Sequence, residues 1–269
     1  MKVLATGAGT HAMFEPDHLN VWGLGMSGMH PYLPVDQDDA DYENIYTRAF
    51  QGSTFRPFTL SRGYLRHVMR EAKAMLPSDN RRVLVKSVYS ILNTEWLCKR
   101  FRPRVVVLLR NPYSVAHSIH RKWPDANLKL LIDQPKLMAD YLGSYREIIE
   151  RAQSPYGVLA ARIGAYYKIV LQMAARNPDW LVVKHEDLCR DPMQGYRQLF
   201  SSLDLVWTRD TDEALRLSNR PKQDDAVSHV QRVASEEPDK WRSLLSQSQI
   251  DEIREAYTAF STGVYEDLA

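Results

Sequence analysis

Cysteine is nearly absent from the chain. Cys98 and Cys189 are the only two in 269 residues, they stand far apart, and neither falls in a C-x-x-C or Cys/His ligand spacing. That excludes a disulfide-stapled scaffold and a zinc site, and it fits a reducing, cytoplasmic setting. An excess of one charge is missing too: 35 Lys and Arg stand against 33 Asp and Glu, a formal net charge of +2. No broad field is then available to grip nucleic acid or an anionic membrane, so neither is an expected partner, and any anion must be met by a local cluster of basic side chains. No apolar run approaches the roughly 18 residues that a membrane span needs, and Met1 to Thr6 carries no signal-peptide core. No repeat of fixed period and no G-x-x-x-x-G-K-[ST] pattern occurs, which argues against a solenoid and against a nucleotide-dependent kinase on a P-loop. What is present is ordinary globular usage, 44% hydrophobic and 25% charged, in a chain long enough to bury most of its apolar surface.

Regular periodicity is weak over residues 1–60, where glycines, Pro16, Pro31, Pro34 and the acidic run Asp36 to Asp41 predict mostly loop and short helix. From Leu60 the spacing of Leu65, Val68, Met69, Ala72 and Leu76 predicts an amphipathic helix. Val83 to Lys86 reads as a strand, Ile91 to Phe101 as a helix, and Val105 to Leu109 as an unalternated strand covered on both faces. Helices are expected over Tyr113 to Lys122, Tyr141 to Arg151, Gly157 to Ala175, Met193 to Leu203 and within Pro238 to Phe260, with a further strand at Trp180 to Lys184. Strands alternating with helices imply right-handed crossovers in one mainly parallel sheet, an α/β fold in a single domain over residues 1–269.

The segment Val105 to Ser118 is the most specific. A buried strand delivers Arg110-Asn111-Pro112 to its carboxyl end, where ligands of open α/β sheets collect, and Ser118 follows eight positions after the arginine. A guanidinium fork and a hydroxyl there make an anion clamp suited to phosphate oxygens; a salt-bridged Arg110 and a packing Ser118 are the alternative. Glu186 and Asp187, adjacent on a segment read as extended, would point to opposite faces, so they are expected to cap the following helix rather than to act as a catalytic pair.

Together, four segments resemble the sulfotransferases that use 3′-phosphoadenosine 5′-phosphosulfate (PAPS). Val105 to Ser118 is similar to that family's 3′-phosphate motif, Leu181 to Pro192 to its V-x-Y-E-D-L strand and turn with His185 in place of Tyr, and Val83 to Lys86 and Lys240-Trp241-Arg242 keep the expected order. The resemblance spans about residues 83–260 and implies a three-layer α/β/α, P-loop-NTPase-like nucleotide-binding core, with residues 1–60 on the acceptor side. It implies that Arg110 and Ser118 bind the 3′-phosphate, that Arg232, with Arg220 and Lys222, lies on a loop closing over the nucleotide, for which a solvated charged loop is the alternative, and that no metal takes part. A Gly-rich loop for the 5′-phosphosulfate is expected by the family pattern, and Gly7-Ala8-Gly9-Thr10 has no Lys or Arg to serve as one. Met13-Phe14-Glu15-Pro16 resembles the Glu-Pro segment that follows the loop, so the expectation is that the first strand and loop lie upstream of Met1, with Lys2 to Ala5 ending the first helix and Gly7 or Gly9 capping it. A non-catalytic nucleotide-binding remnant is the corresponding alternative. Val88 stands where cytosolic relatives carry a catalytic His, which leaves Glu15 as candidate base, or a cap before Pro16, and Lys86 as candidate sulfonate ligand, or one half of an ion pair. His18, His117 and His120 are weaker candidates. The aromatics Trp22, Tyr32, Tyr42, Tyr46, Phe50 and Phe55 either wall an acceptor site or pack the early region onto the sheet. The acceptor, a small molecule or a glycan, and the oligomeric state are not encoded in any spacing.

Overall fold

The computed structural model describes residues 1–17, 30–52, 82–124, 127–218 and 238–267. The predicted helix from Leu60 lies outside these residues, as do His18, Trp22, Phe55, Arg220, Lys222 and Arg232. Strand β1 (Thr10–Phe14) pairs in parallel with β2 (Arg82–Lys86), and β3 (Val106–Leu109) in parallel with β4 (Leu181–Lys184). Among the described residues the expected single sheet is therefore two separate parallel pairs. Leu84 of β2, Val106 of β3 and Leu181 of β4 nevertheless pack on one cluster of Val3, Phe200, Leu203, Leu205 and Leu215. Both pairs finish in register, Phe14 opposite Lys86 and Leu109 opposite Lys184. Each therefore presents a two-stranded carboxyl end.

Two readings of the strands need correction. Cover on both faces of β3 does not hold: Val107 and Leu109 are buried, but alternation turns Leu108 outward and leaves it 51% exposed. The early region is more regular than its punctuation suggests, with strand β1 and helix α1 (Ala40–Phe50). The acidic run is what starts that helix. Asp39 accepts a hydrogen bond from the Tyr42 N–H at 3.0 Å, and Asp41 and Glu43 occupy the first turn, where the helix dipole favours them. The expected helix end at Lys2 to Ala5 is one 3-10 turn, Leu4–Thr6, closed at Gly7.

Helix α2 (Thr94–Phe101) follows a 3-10 turn at Ile91–Asn93 and stops at Arg102, which adopts a left-handed φ of 47° ahead of Pro103. Tyr42 and Tyr46 of α1 pack with Leu33, Ile45, Trp96 and Leu97, so these aromatics are core rather than site wall. Helix α3 (Pro112–His120) leads from β3, and α4 (Pro155–Arg176) is the buried centre of the largest cluster, with small residues on the faces that meet its neighbours. At Gly164 an added Cβ would meet the Phe260 ring at 2.6 Å, so only glycine admits that contact. Helix α5 (His185–Arg190) begins directly after β4, α6 (Pro192–Ser202) is capped by Asp191, α7 (Arg209–Ser218) was not anticipated, and α8 (Gln247–Thr258) opens with a Ser246/Gln249 capping box. No helix of the described residues is long and apolar enough to cross a membrane.

Candidate active site

At the end of β3 the chain is held by its backbone. The Arg110 N–H donates to the Tyr167 hydroxyl at 2.9 Å, and that hydroxyl donates back to the Arg110 carbonyl at 2.5 Å. The next N–H, of Asn111, donates to Glu186 Oε1 at 2.8 Å, and Glu186 Oε2 accepts from the Tyr265 hydroxyl at 2.5 Å. Glu186 is 4% exposed. Asn111 in turn caps α3 by accepting from the Tyr113 N–H at 2.9 Å, with Pro112 in the first helical position, where a missing N–H costs nothing. Trp241 stacks on Tyr113 with ring centroids 4.3 Å apart. Three elements, α4, α5 and the turn Lys240–Ser243, thus fix a single bend of chain.

Arg110 leaves this bend half-buried, and Ser118, also half-buried, lies two helical turns beyond Asn111 on the same face of α3. Arg110 and Ser118 thus stand at the turn and near the helix end of one strand–turn–helix segment. The extended reading of Glu186 and Asp187 is corrected, since both lie in α5: Glu186 turns inward to the Arg110 turn and Asp187 outward to a surface pair with Arg190. The capping expected of them falls to Asp191, which accepts from the Gln194 N–H at 3.0 Å.

At the end of β1 and β2 a backbone bond is joined by a pair of charged side chains. The Glu15 N–H donates to the Lys86 carbonyl at 2.6 Å, and the Lys86 ammonium pairs with Glu15 Oε1. Both side chains are about one third exposed, at 35% and 31%. Glu15 has a φ of 48°, a left-handed conformation that costs a residue with a Cβ about 1–2 kcal/mol. Two residues on, Asp17 is buried and accepts from the hydroxyls of Ser87 at 2.7 Å, Ser90 at 2.5 Å and Tyr46 at 2.9 Å. These bonds fix the turn that follows Lys86. Burial raises the Tyr46 and Tyr89 hydroxyl pKa values, and the charges of Glu15 and Asp17 add to the effect on Tyr89. Burial beside the Arg162 guanidinium lowers His30 to about 4.

A family model described as the sulfotransferase domain matches residues 23–264. The chain belongs to the sulfotransferase domain family. No curated protein and no solved structure matches it. The matched stretch contains Lys86, Arg110 and Ser118, while Glu15 precedes it. Of the residues that sequence reasoning assigned to the sulfotransferase site, Glu15 meets Lys86 and Arg110 shares a unit with Ser118; Arg232 is outside the described residues. His117 and His120 sit on α3, each with a buried Nδ1 that has no hydrogen-bond partner among the described residues, and His120 lies against the Tyr156 ring. Among the described residues no group of three or more His, Cys, Asp or Glu is placed to hold a metal ion. Asp17 and Tyr167 were missed. The signal for Asp17 is the Ser87-x-x-Ser90 pair after a strand, whereas Tyr167, more than fifty residues from the turn it grips, left none.

Proposed function

We propose that this sulfotransferase-family chain moves a sulfonate from PAPS to a hydroxyl or amine of a small-molecule or glycan acceptor. The observation that carries the reading is the Arg110-Asn111-Pro112 turn, gripped by Tyr167 and Glu186 with Ser118 two turns above it. A guanidinium and a hydroxyl carried on a turn whose backbone is held suit the 3′-phosphate of the donor, because a charged fork and a hydroxyl match phosphate oxygens. Lys86 supplies positive charge for the sulfonate, where charge develops as the bond to the 5′-phosphate breaks. Glu15 takes the acceptor proton as the new S–O or S–N bond forms, and adenosine 3′,5′-bisphosphate leaves. Each of these two groups neutralises the other in the pair, and their partial exposure lets the pair open at small cost.

The test is sulfonate transfer from labelled PAPS to a panel of phenols, alcohols, amines and saccharides. Wild type is expected to label at least one class, and Glu15→Gln and Lys86→Ala to lower kcat by about 100-fold, the scale of losing one transition-state contact. Full turnover in both variants would remove these two residues from the mechanism, and no transfer to any acceptor would remove the activity.

A further inference from the structure

Arg162, on α4, is only 8% exposed. Among the described residues no carboxylate and no hydrogen-bond acceptor meets its guanidinium. A largely buried cation with no carboxylate beside it among the described residues is costly, and a ligand that supplied an anion would offset that cost. Its surroundings point the same way. Tyr166, buried on the next turn, has a hydroxyl with no hydrogen-bond partner among the described residues. The His30 ring lies 4.9 Å from that of Tyr166 and 5.3 Å from that of Tyr89, centroid to centroid. His30 also reaches the Val88 backbone, on the turn that Asp17 ties down after Lys86. Held near pKa 4, the imidazole is neutral at physiological pH, so it neither offsets nor repeats the arginine's charge. Tyr89, half-buried, continues from this group toward Glu15 and Asp17, whose charges act on it.

We propose that Arg162 and the Tyr166 hydroxyl, walled by the His30 ring, bind an acidic group carried by the acceptor, a carboxylate or an existing sulfate ester, with Tyr89 between that group and the Glu15–Lys86 pair. Resting on the sulfotransferase reading, the assignment makes the acceptor an anion and gives the enzyme a means of choosing it. Arg162 supplies charge and directed N–H donors, the Tyr166 hydroxyl a further donor, and the rings exclude water around the bond.

Two measurements test it, the first without any need for turnover. In the Arg110→Ala background, which silences the nucleotide-phosphate turn, melting temperature is followed against sodium sulfate and sodium acetate, each matched in ionic strength with sodium chloride. The proposal expects a saturable rise with one of the two anions. Arg162→Met should abolish it, and Tyr166→Phe should raise its midpoint several-fold, the scale of one lost hydrogen bond to a charged group. In chloride alone Arg162→Met should melt no lower than its parent. The absence of a saturable rise, its survival in Arg162→Met, or a large drop in the melting temperature of that variant would each overturn the proposal. The second measurement uses hydroxylated acceptors offered as the free acid, the sulfate ester and the methyl ester. Wild type should favour one charged form in KM by roughly tenfold or more, and Arg162→Met should bring that ratio close to one. Sulfate preference alone identifies a sulfated acceptor and carboxylate preference an acidic one, while a ratio unchanged in the variant contradicts the pocket. An anion response without sulfonate transfer would leave the pocket standing and retire the enzymatic reading.

Discussion

The two strand ends solve different problems. At the end of β3 and β4 the protein grips main chain: Tyr167 and Glu186 bond the backbone of Arg110 and Asn111, and Trp241 closes over Tyr113. At the end of β1 and β2 a single backbone bond is supplemented by side chains, the Glu15 carboxylate paired with the Lys86 ammonium and a carboxylate with three hydroxyls behind them. A turn held by its backbone keeps its shape whether or not a ligand is present, as suits the recognition of a constant group such as a nucleotide phosphate. A pair held by exchangeable side chains opens when a reacting group arrives. On the proposed function, the backbone-held end serves binding and the side-chain pair serves chemistry.

Variants that attack the rigid end should cost the most stability. Trp241→Ala, which empties a buried aromatic site, is expected to lower unfolding free energy in urea by about 3–5 kcal/mol. Glu186→Ala, leaving the Asn111 N–H and the Tyr265 hydroxyl without an acceptor, should cost about 2–4 kcal/mol, whereas Asp187→Ala beside it should change stability by less than about 0.5 kcal/mol. Equal effects in the two carboxylate variants would erase the distinction between the backbone grip and the surface.

His30 adds a pH dependence near the labile end. Its value falls from the ordinary 6.5 to about 4 because burial, and then the Arg162 charge, disfavour the imidazolium. Tyr166, Tyr89 and Arg162 face it, and none of them offers a negative charge to hold a proton on the ring. The contribution is complete above pH 6.5 and is lost as pH falls toward 4. The loss on reaching pH 4 should amount to about 3 kcal/mol. His30→Gln should flatten that decline in a series of urea titrations. The smallest effect on stability is expected at the pair itself. Lys86→Ala should cost less than about 1 kcal/mol because the pair is partly solvated, while still losing turnover; a large loss of stability would make the pair structural.

The sequence made the rigid end legible because its signals are local. An apolar strand, a turn with Asn before Pro and a hydroxyl two turns later occupy one stretch, and the fold keeps them together. The grip itself was not legible: Tyr167 and Tyr265 reach the turn from distant segments, and Glu186 was read as the end of a strand because the apolar run before it masks the helix start at His185. At the labile end Glu15 and Lys86 were each singled out, but their contact depends on β1, whose five residues, with Thr10 and His11 at their start, carry little strand signal. Asp39 shows the reverse error, an acidic run read as loop that is a helix cap and first turn. Arg162 gave no signal at all. An arginine inside an apolar helix reads as a surface position until the packing around it is known.

The central claim is that Arg110 and Ser118 on their gripped turn receive the 3′-phosphate of the donor. Calorimetric titration of adenosine 3′,5′-bisphosphate into wild type and Arg110→Ala tests it most directly. The account predicts measurable binding to wild type, weakened by roughly 1.5–3 kcal/mol in the variant, the worth of a hydrogen bond to a charged group. Unchanged affinity in Arg110→Ala, or no binding to wild type, would contradict it.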